Sequence, residues 1–231
     1  MDVVYLVRPG EANEELRHSL RSLKNLPHDT VWIAGYRPTW CTANHIPTDQ
    51  ADTKHVNALR NLRAALGHPG VSQRFILFND DFFVTQPLDN PPVLHTGRVI
   101  DVLTRYKTQR PQGSAYITAM EATFDYLVNL GFRYPLSYDN HTPMVFDKTL
   151  LARVLDDAMK AGVDVPRFHY RTAYGNLMGV GGTQYRDAKV YDTHTAQVNT
   201  PYTSTHDRSF GRGRIGVRLR AMFPDPSPYE V

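Results

Sequence analysis

The first third of the chain alternates short apolar runs with amphipathic stretches. Val3 to Val7 (VVYLV) and Thr30 to Ala34 (TVWIA) are unbroken runs of β-branched and aromatic residues, and they predict buried strands. Between them, Glu11 to Leu26 predicts a helix. Leu16, Leu20 and Leu23 share one face, Glu11, Glu14 and Glu15 sit in its first turn, and Pro27 stops it. Lys54 to Leu66 predicts a second helix with Val56, Leu59, Leu62 and Leu66 as its apolar stripe, while Lys54, Asn57 and Arg60 share another face. A third run, Arg74 to Phe83 (RFILFNDDFF), reads as a strand whose apolar residues stop at Asn79-Asp80-Asp81 and resume at Phe82.

The order strand, helix, strand, helix, strand predicts an α/β fold, with a Rossmann-like core, a mixed central sheet and helices on both faces. Two neighbouring acids between apolar residues are costly unless paired or bound to a cation. In open α/β sheets ligands sit beyond the carboxyl ends of the strands. Asp80 and Asp81 therefore predict a divalent-cation site, with oxygen ligands suited to Mg²⁺ or Mn²⁺. The segment from Gly35 to Asp52 is too long for a simple connector.

Beyond Pro87 the periodicity weakens. Leu88 to Leu94 reads as a loop, and Arg105 to Gln112 carries three basic residues. Ala115 to Leu130 and Lys148 to Ala161 predict helices, each followed by a glycine. Ser137 to Met144 is polar and turn-rich, and Tyr185 to Val190 suggests a short strand. The last part, Ser204 to Val231, holds five arginines and ends in PDPSPYE, read as an extended segment laid over the core.

Composition adds bounds. At 231 residues, 41% hydrophobic and 21% charged, the chain suits one ordinary globular core, and nothing in it marks a boundary, so residues 1–231 read as a single catalytic domain. A net charge of +3 falls short of a nucleic-acid-binding signature. The lone cysteine, Cys41, excludes an internal disulfide and a multi-cysteine zinc site. The apolar part of the N-terminus is too short for a signal peptide and no run reaches a membrane span, so the expectation is a cytoplasmic protein.

Several separated segments together resemble the Stealth family of capsule polysaccharide phosphotransferases and N-acetylglucosamine-1-phosphotransferases. Asn13 to Leu23 resembles the family's E-L-R-x-S-L-R-S segment, Phe75 to Phe83 its F-I-Y-L-N-D-D-F-F segment, and the helix holding Asn57-Ala58 its S-N-A-I-E helix. His141-Thr142-Pro143-Met144 is similar to its H-x-P segment. Arg171 stands where the family has an arginine, His206-Asp207 resembles a late N-D pair, and Phe223 to Glu230 resembles an F-P-x-P-S-P-F-E ending. The opening family motif with its aspartates is reduced to Val3 to Gly10, with Arg8 near the place of the first, so the chain resembles a compact, divergent member.

The resemblance implies a GT-A-like transferase that uses a nucleotide-sugar donor, a UDP-sugar, and moves sugar 1-phosphate to a hydroxyl acceptor with metal assistance. It implies Asp80, Asp81 and Asp207 as metal ligands, His141 as proton acceptor, and Asp81 and Arg171 as further catalytic groups. Arg8, Arg17, Asn57 and Asn79 would hold the donor. The acceptor is open among polysaccharide, protein and modified nucleic acid. Two alternatives stand beside this: a glycosyltransferase that moves the sugar alone and releases UDP, and a non-catalytic glycan or nucleic-acid binding protein.

Overall fold

The computed structural model describes residues 1–231. In chain order the first elements are β1 (Asp2–Val7), α1 (Glu14–Ser22), β2 (Val31–Gly35), β3 (Asn44–Pro47), α2 (Lys54–Gly67), β4 (Arg74–Asn79) and β5 (Phe82–Val84). Next come β6 (Leu94–His95), α3 (Val99–Gln109), α4 (Ala115–Asn129), β7 (Met144–Asp147), α5 (Lys148–Lys160) and α6 (Tyr170–Leu177). The chain ends with β8 (Thr183–Gln184), β9 (Lys189–Val190), β10 (Tyr202–Thr205), α7 (Asp207–Arg212) and α8 (Arg214–Met222). This is an α/β protein with parallel and antiparallel strand pairs. No helix is long and apolar enough to cross a membrane.

Packing divides the chain into two compact units, a division that composition does not announce. The first is built from residues 1–91, 141–146 and 188–231, and the second from residues 92–140 and 147–187.

The first unit holds a five-stranded sheet in the order β3-β2-β1-β4-β7. β1 lies between β2 and β4 and runs parallel to both, with Tyr5 opposite Ile33 on one side and Phe78 on the other. Every strand residue from Val3 to Tyr5 is fully buried, which is why the run reads as continuous rather than alternating. After β2 and β3 the chain returns to the other side of β1, so the strand order reverses there. The carboxyl ends of β1 and β4 flank that reversal, where crevices form in open α/β sheets.

Helix α1 is shorter than its apolar pattern predicts. Asn13 caps it by accepting a hydrogen bond from the Leu16 amide at 3.1 Å, and a 3-10 turn, Leu23–Asn25, replaces its last turn. Glu11 lies outside, with Tyr36 donating to its carboxylate at 2.6 Å. Helix α2 matches the predicted span, but its buried face is Asn57, Asn61, Leu62 and Ala65. The stripe is shifted because two amides have inward work: Asn61 donates to the Val7 carbonyl at 3.3 Å, and Asn57 ties the preceding loop. Gly35 ends β2 at φ 111°, where a side chain would run into the Val7 carbonyl and Asn61.

A three-stranded sheet, β5-β10-β9, continues the first unit. Its core joins Phe83, Val190, Phe210, Ile215, Leu219 and Phe223, with Phe83 and Phe210 stacked at 5.7 Å between ring centroids. Arg220 of α8 lies over the Phe210 ring. The C-terminal segment is a strap across the core, as expected, but it ends in a turn closed by the Glu230 amide donating to Ser227 O at 3.3 Å rather than as extended chain. The Thr42 amide donates to Tyr229 O at 2.9 Å and the Val231 amide to Trp40 O at 3.0 Å.

The second unit is mainly helical. α3 and α4 bury Val99, Val102, Leu103, Ile117 and Met120 against one another, and β6 and β8 form a two-stranded parallel ladder. Asn176 of α6 fixes the preceding loop, donating to Leu136 O at 2.7 Å and accepting from the Leu136 amide at 2.8 Å.

Candidate functional site

The carboxyl ends of β1 and β4 carry Arg8 and Asp80, and three other segments bring charged groups to them. Asn13 has two tasks: its Oδ1 caps α1, and its Nδ2 donates to Asp80 Oδ2 at 3.0 Å. Arg8 donates to Asp207 Oδ1 at 2.5 Å, and both side chains are more than half exposed. Thr205, at the end of β10, donates to Glu15 Oε1 at 2.5 Å. Ser204 donates to Asp81 Oδ2 at 2.8 Å, and the Lys189 ammonium of β9 is bonded to the same oxygen. Lys189 and Ser204 are register partners on β9 and β10, so the strand pairing itself delivers both donors to Asp81.

Four carboxylates therefore face two cations, and the titration of Glu15 and Asp80 reflects the crowding. Burial pushes Glu15 up to about 7, with repulsion from Asp81, Asp80 and Asp207 adding to it and Thr205 opposing. Asp80 is also raised, first by burial and then by Asp81, against the amide of Asn13 and the charge of Arg8. For Asp207 burial is outweighed by Arg8, whose hydrogen bond and charge hold it below the usual carboxylate range. A cleft of about 350 Å³ opens beside these groups, lined by Arg8, Gly10, Asn13, Glu15, Asp207 and Phe210 among others.

Of the residues singled out from sequence, Arg8, Asp80, Asp81 and Asp207 come together here, with Asn79 as the last residue of β4. Arg17 is elsewhere: it lies over the Trp40 ring at 4.3 Å and pairs with Glu230 at 3.4 Å, holding the C-terminal strap. Asn57 is spent on its own loop, donating to Gln50 O at 3.0 Å and Asp52 O at 2.9 Å. His18 of α1 is buried, its Nδ1 2.9 Å from the Glu14 carbonyl. His141 has φ 48°, in the left-handed region. A left-handed conformation at such a residue costs energy and tends to mark functional positions.

Arg171 belongs to the second unit, buried on α6. Its neighbour in that unit is Asp139, which burial would raise but which His169, Thr172 and Arg171 together hold low. His169 Nδ1 lies 3.0 Å from Asp139 Oδ2, and Thr172 donates to that oxygen at 2.6 Å.

Sequence reading missed Glu15, Lys189, Asp139 and His169. Glu15 stood in the first turn of a predicted helix, where an acid has an ordinary dipole-related reason to be. Lys189 carried no motif, since its role comes from pairing with a strand fifteen residues later. Compared with known proteins, the chain matches no family model and no curated protein sequence.

Proposed function

We propose that the chain is a transferase of Rossmann-like, GT-A-like architecture that takes a nucleotide-sugar donor, a UDP-sugar, and passes its sugar 1-phosphate to a hydroxyl acceptor. The observation that carries this reading is the gathering of Arg8, Glu15, Asp80, Asp81, Lys189 and Asp207, from separate segments, at the place where the order of the parallel strands reverses. Acids gathered beside a cleft, with Glu15 and Asp80 raised by burial and by one another, support a reaction site.

Arg8 suits the donor phosphates. Its pair with Asp207 is exposed, and such pairs contribute about 1 kcal/mol or less, so a phosphate can take the guanidinium at little cost. His141 suits the proton of the acceptor hydroxyl, since an imidazole nitrogen can act as a general base, and its left-handed backbone marks a strained position of the kind found at functional sites. Attack of the acceptor oxygen on the sugar-linked phosphorus would break the diphosphate bridge and release UMP.

A divalent cation would supply charge neutralisation at the diphosphate. The acids as arranged do not fit one: no three carboxylates or imidazoles converge on a common point. Each acid also already holds a donor, Lys189 and Ser204 on Asp81, Asn13 on Asp80, Thr205 on Glu15 and Arg8 on Asp207. No step is assigned to a metal on this arrangement. The test is to incubate the protein with a panel of nucleotide sugars, with and without Mg²⁺ or Mn²⁺, and identify the nucleotide released. UMP supports sugar-phosphate transfer, UDP supports the glycosyltransferase alternative, and no turnover leaves the binding protein.

A further inference from the structure

The second unit has its own cleft, about 460 Å³, lined by His95, Thr96, Arg98, Asp101, Arg105 and Gln184, with the apolar Val102 and Leu136 beside them. One wall is a face of α3. Arg98 precedes its first residue, and Asp101, Val102 and Arg105 follow at helical spacing, so they share that face. Seven residues of helix set Arg98 and Arg105 about 10 Å apart along the cleft. The opposite wall is Gln184 of β8, whose side-chain amide lies against Gly97. That glycine has φ 101°, and any side chain on it would press on the amide at 3.1 Å.

The charge inventory of this cleft favours an anion. Burial lowers the titration of His95, and its Nδ1 accepts from the Gly97 amide at 3.1 Å, so it serves as a neutral polar wall. Two guanidinium groups then face one carboxylate, Asp101. Arg98 donates to Asp101 at 2.7 and 3.2 Å, but both side chains are more than half exposed. An exposed pair of this kind is worth about 1 kcal/mol or less, so a ligand carboxylate can replace Asp101 on the same fork.

We infer that this cleft binds a carboxylate-bearing polysaccharide, with Arg98 and Arg105 reading two acidic sugars along one chain and Gln184, Thr96 and His95 meeting hydroxyl groups between them. Polar walls suit sugar hydroxyls. No phenylalanine, tyrosine or tryptophan lines the cleft, so it lacks the broad stacking platform on which single-stranded nucleic acid lays its bases. The inference deepens the transferase reading by giving its acceptor a chemical class, and it rests on that reading only for the word acceptor.

The test measures binding, not turnover, and uses the full chain. A hyaluronan octasaccharide is titrated by calorimetry, with a neutral cello-oligosaccharide and a dT12 oligonucleotide as comparisons. The expected result is that hyaluronan binds more tightly than either, that raised salt weakens it, and that the Arg98→Gln, Arg105→Gln double variant weakens it at least tenfold. Arg110→Gln, off the cleft, leaves it unchanged. Both cleft arginines are exposed, so the variants fold. No hyaluronan binding, equal binding by the double variant, or tighter binding of dT12 would each overturn the proposal. Failure of nucleotide-sugar turnover beside intact, arginine-dependent hyaluronan binding would sink the transferase reading alone.

Discussion

Glu230 is the most heavily bonded residue of the C-terminal strap, and removing its charge measures what the strap contributes. Its side chain is 3% exposed. It takes a two-pronged contact from Arg21, Nε at 2.9 Å and Nη2 at 2.8 Å, and accepts from the Ser227 amide at 2.9 Å and hydroxyl at 3.0 Å. Glu230→Gln keeps the shape and an acceptor but leaves Arg21 without its counter-charge. Loss of a charged hydrogen bond costs about 1.5–3 kcal/mol. Losing one partner of a fully buried pair costs about 3–5 kcal/mol, but Arg21 keeps the Phe223 and Pro224 carbonyls, at 3.3 and 2.9 Å. About 2 kcal/mol is therefore expected. At roughly 2–4 °C per kcal/mol for a chain of this size, Tm falls by about 4–8 °C. The pH dependence gives a second check. Burial would raise the Glu230 carboxyl, but Arg21 and Ser227 outweigh it and hold it low. A lowered folded-state pKa means stability that is present above the usual glutamate value and lost as pH falls through the folded one. Thermal unfolding followed by circular dichroism at pH 7 and pH 3 should show the gap between wild type and variant closing in acid. A Tm loss under 1 °C at pH 7, or a gap as wide at pH 3, would refute the reasoning.

Lys189→Met leaves Asp81 buried without its ammonium, and urea unfolding should show a loss of about 3–5 kcal/mol, with Asp81→Asn in the same chain restoring part of it; an additive double variant would remove the pairing. Glu15→Gln should flatten the pH dependence of stability. Its raised pKa means wild type loses stability, on the order of 3 kcal/mol, as pH rises from about 4.5 to 7, so the variant should gain on wild type from pH 4 to pH 8. An unchanged difference across that range counts against the carboxylate crowding. His141→Asn keeps a residue that tolerates the left-handed backbone, and transfer should fall by about 10²–10⁴-fold with donor affinity intact; full activity would free His141 of the proton.

The parts of the fold legible in advance are those whose physics is local. β1, β4 and α5 follow from unbroken apolar runs, helical periodicity and a glycine stop, and they lie within a residue or two of the predicted bounds. β3 and β10 are short and made by pairing: Tyr202 to Thr205 has no alternation to announce it and is buried on both faces between β5 and β9. The predicted stripe of α2 is only partly the buried one: Leu62 is buried and Val56, Leu59 and Leu66 half-buried, because Asn57 and Asn61, which periodicity scores as polar, have their amides satisfied inside. The acids at the end of β4 were visible because two charges beside phenylalanines contradict ordinary burial. What neutralises them was not, since Lys189 and Ser204 reach Asp81 across more than a hundred residues of sequence.

The first unit is assembled from three stretches of chain, with the two stretches of the second inserted between them. A ribosome would release β1 to β5 long before β9, β10 and the helices that cover Phe83. The early product therefore waits with an apolar sheet edge uncovered while the inserted unit, whose contacts are nearer in sequence, is free to settle first. Completion of the β5-β10-β9 sheet and its core is then a late event, set by the arrival of the last forty or so residues.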